Sequence, residues 1–188
     1  MKTEAKRFKN VISIFPQLET ILIKLESANI SYAIGGSVAL YVQGNSRLPH
    51  DVDIMFTDDA HEAANKVFGL KSEVIERHNV SMVKSTPVDD GSVDFLSRYA
   101  VIADGHTYRK PPLEKVPVVF ENRNVSLVPA EKIAVFKLIG RREHHNDLGD
   151  FKDLFQHPDF DKGLFWKLVD GFDARGIVTD LLSSHGLH

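Results

Sequence analysis

The chain has 188 residues, 43% hydrophobic and 26% charged, with a formal net charge of -3 and no cysteine. That length supports one sizeable core with a helical annex rather than two domains of typical size, and no apolar run approaches the roughly 20 residues a bilayer crossing needs. The acidic balance argues against a generally basic nucleic-acid binder, and the missing thiols exclude disulfides, thiolate metal ligands and cysteine nucleophiles.

The charged start MKTEAKRFKN precedes only the short apolar segment VISIF, without the longer apolar core and small-residue cleavage site of a signal peptide, so a cytoplasmic protein with no membrane segment is expected. Residues 16–28 (PQLETILIKLESA) carry Leu18, Ile21, Leu22 and Leu25 at three- and four-residue steps, which predicts an amphipathic helix opening at Pro16. SYAI reads as a short buried strand ending at Gly35, SVALYVQ opens a helix with Ser37 as its N-cap, and VDIMF is apolar on both faces, as in a central strand. A helix follows from Asp58, its two leading acids favourable at the positive end of the dipole. Segments 73–77, 80–85 and 92–96 read as strands, the last preceded by the turn residues Pro87 and Asp89-Asp90-Gly91. A mixed sheet of four or five strands is expected from these.

Residues 104–117 (DGHTYRKPPLEKVP) read as a loop, and VPVVFENRNVSLV as a hairpin about Glu121 to Asn124. After Pro129 the pattern is helical almost to the end, in AEKIAVFKLIGRRE, DLGDFKDLFQ, KGLFWKLVDGF and ARGIVTDLLSS. The fold class is thus α+β: an α/β head over 1–128, a small mixed sheet flanked by helices, with a helical section over 129–188 packed on it. Trp166 and the phenylalanines at 151, 155, 160, 165 and 172 read as packing residues of those helices.

Asp51 and Asp53 sit inside an apolar run at i and i+2, which in an extended strand puts both carboxylates on one face, about 7 Å apart along the chain. Such a pair calls for a cation, and oxygen-only ligands suit Mg²⁺ or Mn²⁺. Asp94, in SVDFL, is a third acid in a strand-like apolar run. Three strand-borne carboxylates meet the needs of metal-assisted phosphoryl transfer. Upstream, Gly35-Gly36-Ser37 lies where a strand gives way to a helix, so backbone N–H groups and the helix dipole meet at one place and favour phosphate. Arg47 can add a guanidinium contact to the phosphates. The nine histidines show no His-Glu-x-x-His spacing, which disfavours a zinc site.

A glycine pair, a helix and then an Asp-x-Asp strand resemble the nucleotidyltransferase superfamily that includes DNA polymerase β. The matching residues are Ile34-Gly35-Gly36 and Asp51-Val52-Asp53-Ile54, joined by a spacer slightly longer than the family usually has, with Asp94 in the place of the third family carboxylate. Residues 127–155, LVPAEKIAVFKLIGRREHHNDLGDFKDLF, are similar to the abortive-infection-toxin-like and lincosamide-type branches. That resemblance implies a nucleotidyltransferase fold, Lys137 as a ligand of the nucleotide phosphates, and Arg141, Asp147 and Asp150 as cleft residues. Lys137, Arg141 and His144 at i, i+4 and i+7 would then form one basic helix face.

The expected activity is metal-dependent transfer of a nucleoside monophosphate from an NTP to an acceptor hydroxyl. Asp51, Asp53 and Asp94 would hold the metal, with Asp94 also taking the hydroxyl proton. The acceptor would be either a cationic small molecule of antibiotic type, suited by the acidic chain, or RNA or protein as for a toxin-like enzyme with a cognate antitoxin, met by a basic surface about Lys132, Lys137, Arg141 and Arg142. A third reading is a non-catalytic nucleotide-binding module that kept the fold.

Overall fold

Strand pairing orders the chain into one sheet, in a computed structural model that describes residues 3–77, 79–89, 91–103, 105–109, 115–141 and 146–187. Two helices come first, α1 (Thr3–Ile14) and α2 (Pro16–Ser27), followed by β1 (Ala33–Ile34), α3 (Gly36–Val42), β2 (Val52–Met55) and α4 (Asp58–Phe68). The strands β3 (Glu73–Arg77), β4 (Val80–Ser85), β5 (Val93–Ala103), β6 (His106–Arg109), β7 (Val116–Phe120) and β8 (Arg123–Leu127) come next. Among the described residues four helices follow: α5 (Ala130–Gly140), α6 (Asp147–Phe155), α7 (Lys162–Gly171) and α8 (Arg175–Ser184).

The sheet runs β3-β4-β5-β2-β1-β8-β7, with β2 parallel to β5, β1 parallel to β8, and the other pairs antiparallel. It has eight strands rather than four or five. The extra strands come from the segment 104–117, expected to be a loop, in which β6 pairs with the far half of β5, and from the β7/β8 hairpin joining the same sheet through β1. Alternation in β6 is too polar to signal a buried face, since three of its four residues are exposed. The charged N-terminal segment is a helix, α1, because Ala5, Phe8 and Val11 recur on one buried stripe. Within β5 the pairing with β4 slips by one residue at Arg98, whose positive φ of 51° marks a bulge.

Helices cover both faces. Phe68 of α4 meets Phe95 of β5 edge-on, and Lys24 of α2 lies over the Phe68 ring, which puts α2 and α4 on the Phe95 face. Asp94 alternates to the other face, where α3 and α5 lie. All eleven residues of α5 are buried. The apolar core is one continuous cluster from Phe8 to Leu187, and the aromatic residues 151, 155, 160, 165 and 166 interlock within or against it. Gln43 ties α3 to the start of α5, donating to the Val128 carbonyl at 2.9 Å and accepting from the Ala130 N–H at 3.1 Å. Among the described residues no helix is long and apolar enough to cross a membrane.

Candidate active site

The register of β2 on β5 aligns Val52 with Val93 and Asp53 with Asp94, so two carboxylates on adjacent strands face the same side. Asp51, two residues before Asp53 and just ahead of the strand, is exposed at the same edge. Gly35 is drawn into the sheet, its N–H donating to the Asp53 carbonyl at 2.7 Å. Its donor is therefore spent on strand pairing, and α3 offers the N–H groups of its first turn from Gly36 onward. Gly36 holds a φ of +53°, and a Cβ there would lie 3.0 Å from the Asp53 carboxyl carbon and closer still to its Oδ2. Only glycine lets the start of α3 rest against that carboxylate.

Ser37 is not the N-cap. Gly35 holds that position, and the Ser37 hydroxyl instead donates to Asp51 Oδ1 at 3.3 Å. It sits beside the carboxylate that the sequence assigns to the metal. Asp94 is held from the neighbouring strand: Lys84 Nζ lies 2.8 Å from its Oδ2 and Thr86 Oγ1 donates to its Oδ1 at 3.0 Å. Lys84 and Thr86 both come from β4 and its end, and the sequence reading passed over them. The signal lies in MVKST, where two polar side chains alternate onto the face that Asp94 occupies.

A second ionic cluster lies where α5 meets α6. Lys137 is buried and its Nζ lies 2.8 Å from both Asp147 Oδ1 and Asp150 Oδ2. Asp150 also receives Arg47 Nη1 at 3.3 Å, which joins the loop leading to Asp51 to the helical section. Four of the residues expected at the phosphates, Arg47, Lys137, Asp147 and Asp150, are thus brought together. Arg141 is not part of a helix face with Lys137: α5 ends at Gly140, and Arg141 is an exposed C-cap with φ 47°. His144, with His145, Arg142, Asp90, Asp104 and residues 110–114, lies outside the described residues.

On the opposite face, sequence reasoning also missed a buried polar chain. His61 Nε2 meets Ser85 Oγ at 2.9 Å and its Nδ1 meets Ser97 Oγ at 2.8 Å, while Ser85 Oγ donates to Asn65 Oδ1 at 2.6 Å. Because the Ser85 proton goes to Asn65, Nε2 of His61 carries its own proton and Nδ1 accepts from Ser97. Burial lowers the His61 pKa below its ordinary 6.5, with the nearby Asp58 opposing the shift. A cavity of about 340 Å³ opens at the Gln43 end of α3, lined among others by Glu4, Val118, Glu131, His157 and Phe160. It lies a helix length, about 10 Å, from the Gly36 end.

The family model described as aminoglycoside-2''-adenylyltransferase matches residues 17–154. Among solved structures, a protein from Thermotoga maritima described as a nucleotidyltransferase is 17% identical, with a TM-score of 0.57 over 74% of this chain and 92% of its own. The protein ANT(2'')-Ia in complex with adenylyl-2''-tobramycin is 14% identical, with a TM-score of 0.49 over 92% of this chain and 99% of its own. The lincosamide antibiotic adenylyltransferase LnuA, lincomycin-bound, is 16% identical, with a TM-score of 0.47 over 75% of this chain and 96% of its own. Curated protein sequences gave no match.

Proposed function

This chain belongs to the aminoglycoside-2''-adenylyltransferase family of nucleotidyltransferases, and from that premise we propose that it moves the nucleoside monophosphate of an NTP, ATP foremost, onto a hydroxyl of a cationic small molecule. The observation that carries the reading is the alignment of Asp53 with Asp94 beside a Gly36 that only glycine can fill. The family match supports a small antibiotic-like acceptor over the toxin-like reading with its antitoxin. The formal charge of -3 suits a cationic acceptor by long-range attraction.

The donor set fits a hard divalent cation such as Mg²⁺ or Mn²⁺. Asp51 is exposed and Asp53 half-buried, both offer oxygen alone, and the mouth of α3 leaves room for phosphate oxygens. Among the described residues no group of three or more acidic, histidine or cysteine side chains is placed to hold a metal by itself, so phosphate and water would complete the coordination. When bound, such an ion neutralises the triphosphate and makes the α-phosphorus more electrophilic.

The remaining steps belong to the chain. Asp51 and Asp53 would hold the divalent ion, and the first N–H groups of α3 with the Ser37 hydroxyl face the place where the triphosphate oxygens would lie. Arg47, half-exposed in the loop before Asp51, brings positive charge to the phosphates, while the buried Lys137 spends its charge on Asp147 and Asp150 and braces that side of the cleft. Asp94 accepts the proton of the acceptor hydroxyl, whose oxygen forms the new bond to the α-phosphorus as the bond to pyrophosphate breaks. Positioning and charge neutralisation supply most of the rate in such transfers.

The acceptor is tested by incubating the protein with α-labelled NTPs, Mg²⁺ and separate pools of aminoglycosides, lincosamides, RNA and protein. Label in an aminoglycoside is the expected result. Label in RNA or protein instead would transfer the assignment to the toxin-like class, and nucleotide binding with no labelled pool would indicate a non-catalytic module.

A further inference from the structure

Neither the carboxylate motif nor the family match singles out Lys84, whose role here rests on the nucleotidyl-transfer reading of Asp51, Asp53 and Asp94. In β4, Lys84 pairs with Leu96 and therefore stands on the face carrying Asp94, two residues away on β5. Its ammonium reaches Asp94 Oδ2 at 2.8 Å, and the side chains of the pair are 22% and 13% exposed. Thr86, two residues further along the same face, fills the other oxygen at 3.0 Å. Both oxygens of Asp94 thus have protein donors supplied by the neighbouring strand. A divalent ion could reach Asp94 only through the lone pairs that remain, at close range to an ammonium that strand register keeps in place.

We propose that Lys84 is a built-in cation of the carboxylate cluster: it occupies the position at Asp94 that a second divalent ion would otherwise fill, and leaves Asp51 and Asp53 to bind a single ion. Charge supports this. A second divalent ion at Asp94 would have to lie against the ammonium at close range, where like charges in a partly buried setting repel strongly. In this arrangement Lys84 is a positioning residue. It fixes the Asp94 carboxylate, through one oxygen, at the orientation from which the remaining lone pairs meet the acceptor hydroxyl.

The test counts Mn²⁺ bound per chain by electron paramagnetic resonance, on nucleotide-free protein with Mn²⁺ alone. The wild type is expected to take up one ion, Lys84→Met two, and Lys84→Arg one. Lys84→Gln, which keeps a donor but removes the charge, repeats the test if the methionine variant unfolds, and should also take up two. Two ions of similar affinity in the wild type, or a single ion in both neutral variants, overturns the proposal while leaving the transfer reading intact. If Asp53→Asn takes up as much Mn²⁺ as the wild type, the carboxylate site itself is misassigned and both fall together.

Discussion

Gly36 and Asp53 share a space that admits no third atom: the α-carbon of one lies against the carboxylate of the other, so that even a methyl group at residue 36 would collide with Asp53 Oδ2. This contact joins the first turn of α3 to the central strand, and it brings backbone N–H groups and a carboxylate to one point. Gly36→Ala must therefore relieve a collision and also hold a left-handed φ, which alone costs about 1–2 kcal/mol. We expect it to lose nearly all transfer activity and to unfold at lower urea. Gly35→Ala meets only the Met55 side chain at 2.8 Å from an ordinary φ, and should be milder in both assays. Equal losses in the two variants would show that the contact with Asp53 is not what demands glycine.

Lys137 compensates two buried carboxylates at once. Lys137→Met would leave Asp147 and Asp150 facing each other without their ammonium, a loss of about 3–5 kcal/mol by the measure of broken buried pairs. Adding Asp150→Asn to that variant leaves one buried charge where there were two, Asp150 having kept only its half-exposed Arg47 partner, and should restore part of the stability, a coupling that a double-mutant cycle reads from urea unfolding. Strict additivity of the two changes would contradict the network.

The His61 chain predicts a pH dependence of stability. Its folded pKa lies below 6.5 because burial disfavours the imidazolium, so the unfolded chain takes up a proton first as pH falls. The stabilisation is present in full above pH 6.5 and is lost as pH drops from there through the folded value. The groups facing the ring are Ser85, Ser97, the stacked Phe56 and, by its charge, Asp58. Unfolding free energies of the wild type should fall more steeply below pH 6.5 than those of His61→Gln. Parallel pH profiles would sink this account.

The order of helices and strands from α2 through α4, and the four helices after Pro129, were legible because their periods are unmixed: Leu18, Ile21, Leu22 and Leu25 repeat as a helix, and VDIM is buried as a central strand. The sheet was undercounted because β6 is a mostly exposed strand whose pairing with β5, not its own pattern, creates it. At the site, local spacing announced Asp51, Asp53 and the glycines. Lys84 stayed hidden because its pairing with Asp94 depends on the β4/β5 register, which composition does not reveal. Arg141 failed as a helix-face residue because α5 stops one residue before it, at a left-handed cap that no glycine signals.

Arg47 separates a structural role from a catalytic one. Its side chain is 37% exposed and reaches the buried Asp150 at 3.3 Å, and because Lys137 still holds that carboxylate when Arg47 is removed, the loss should be about 1 kcal/mol. Arg47→Met should leave urea unfolding within that margin while raising the KM for NTP several-fold. A large loss of stability with an unchanged KM would assign Arg47 to tethering the loop rather than to phosphate.

The central claim is that the carboxylates on β2 and β5 perform nucleotidyl transfer. The most direct measurement is pyrophosphate release by Asp53→Asn beside the wild type, with ATP, Mg²⁺ and an acceptor that the labelling assay identifies, on protein whose urea unfolding matches. Loss of turnover by a factor of about a hundred or more, a charge-stabilisation effect of some 3 kcal/mol, is the predicted result. Turnover within a few-fold of the wild type would contradict it.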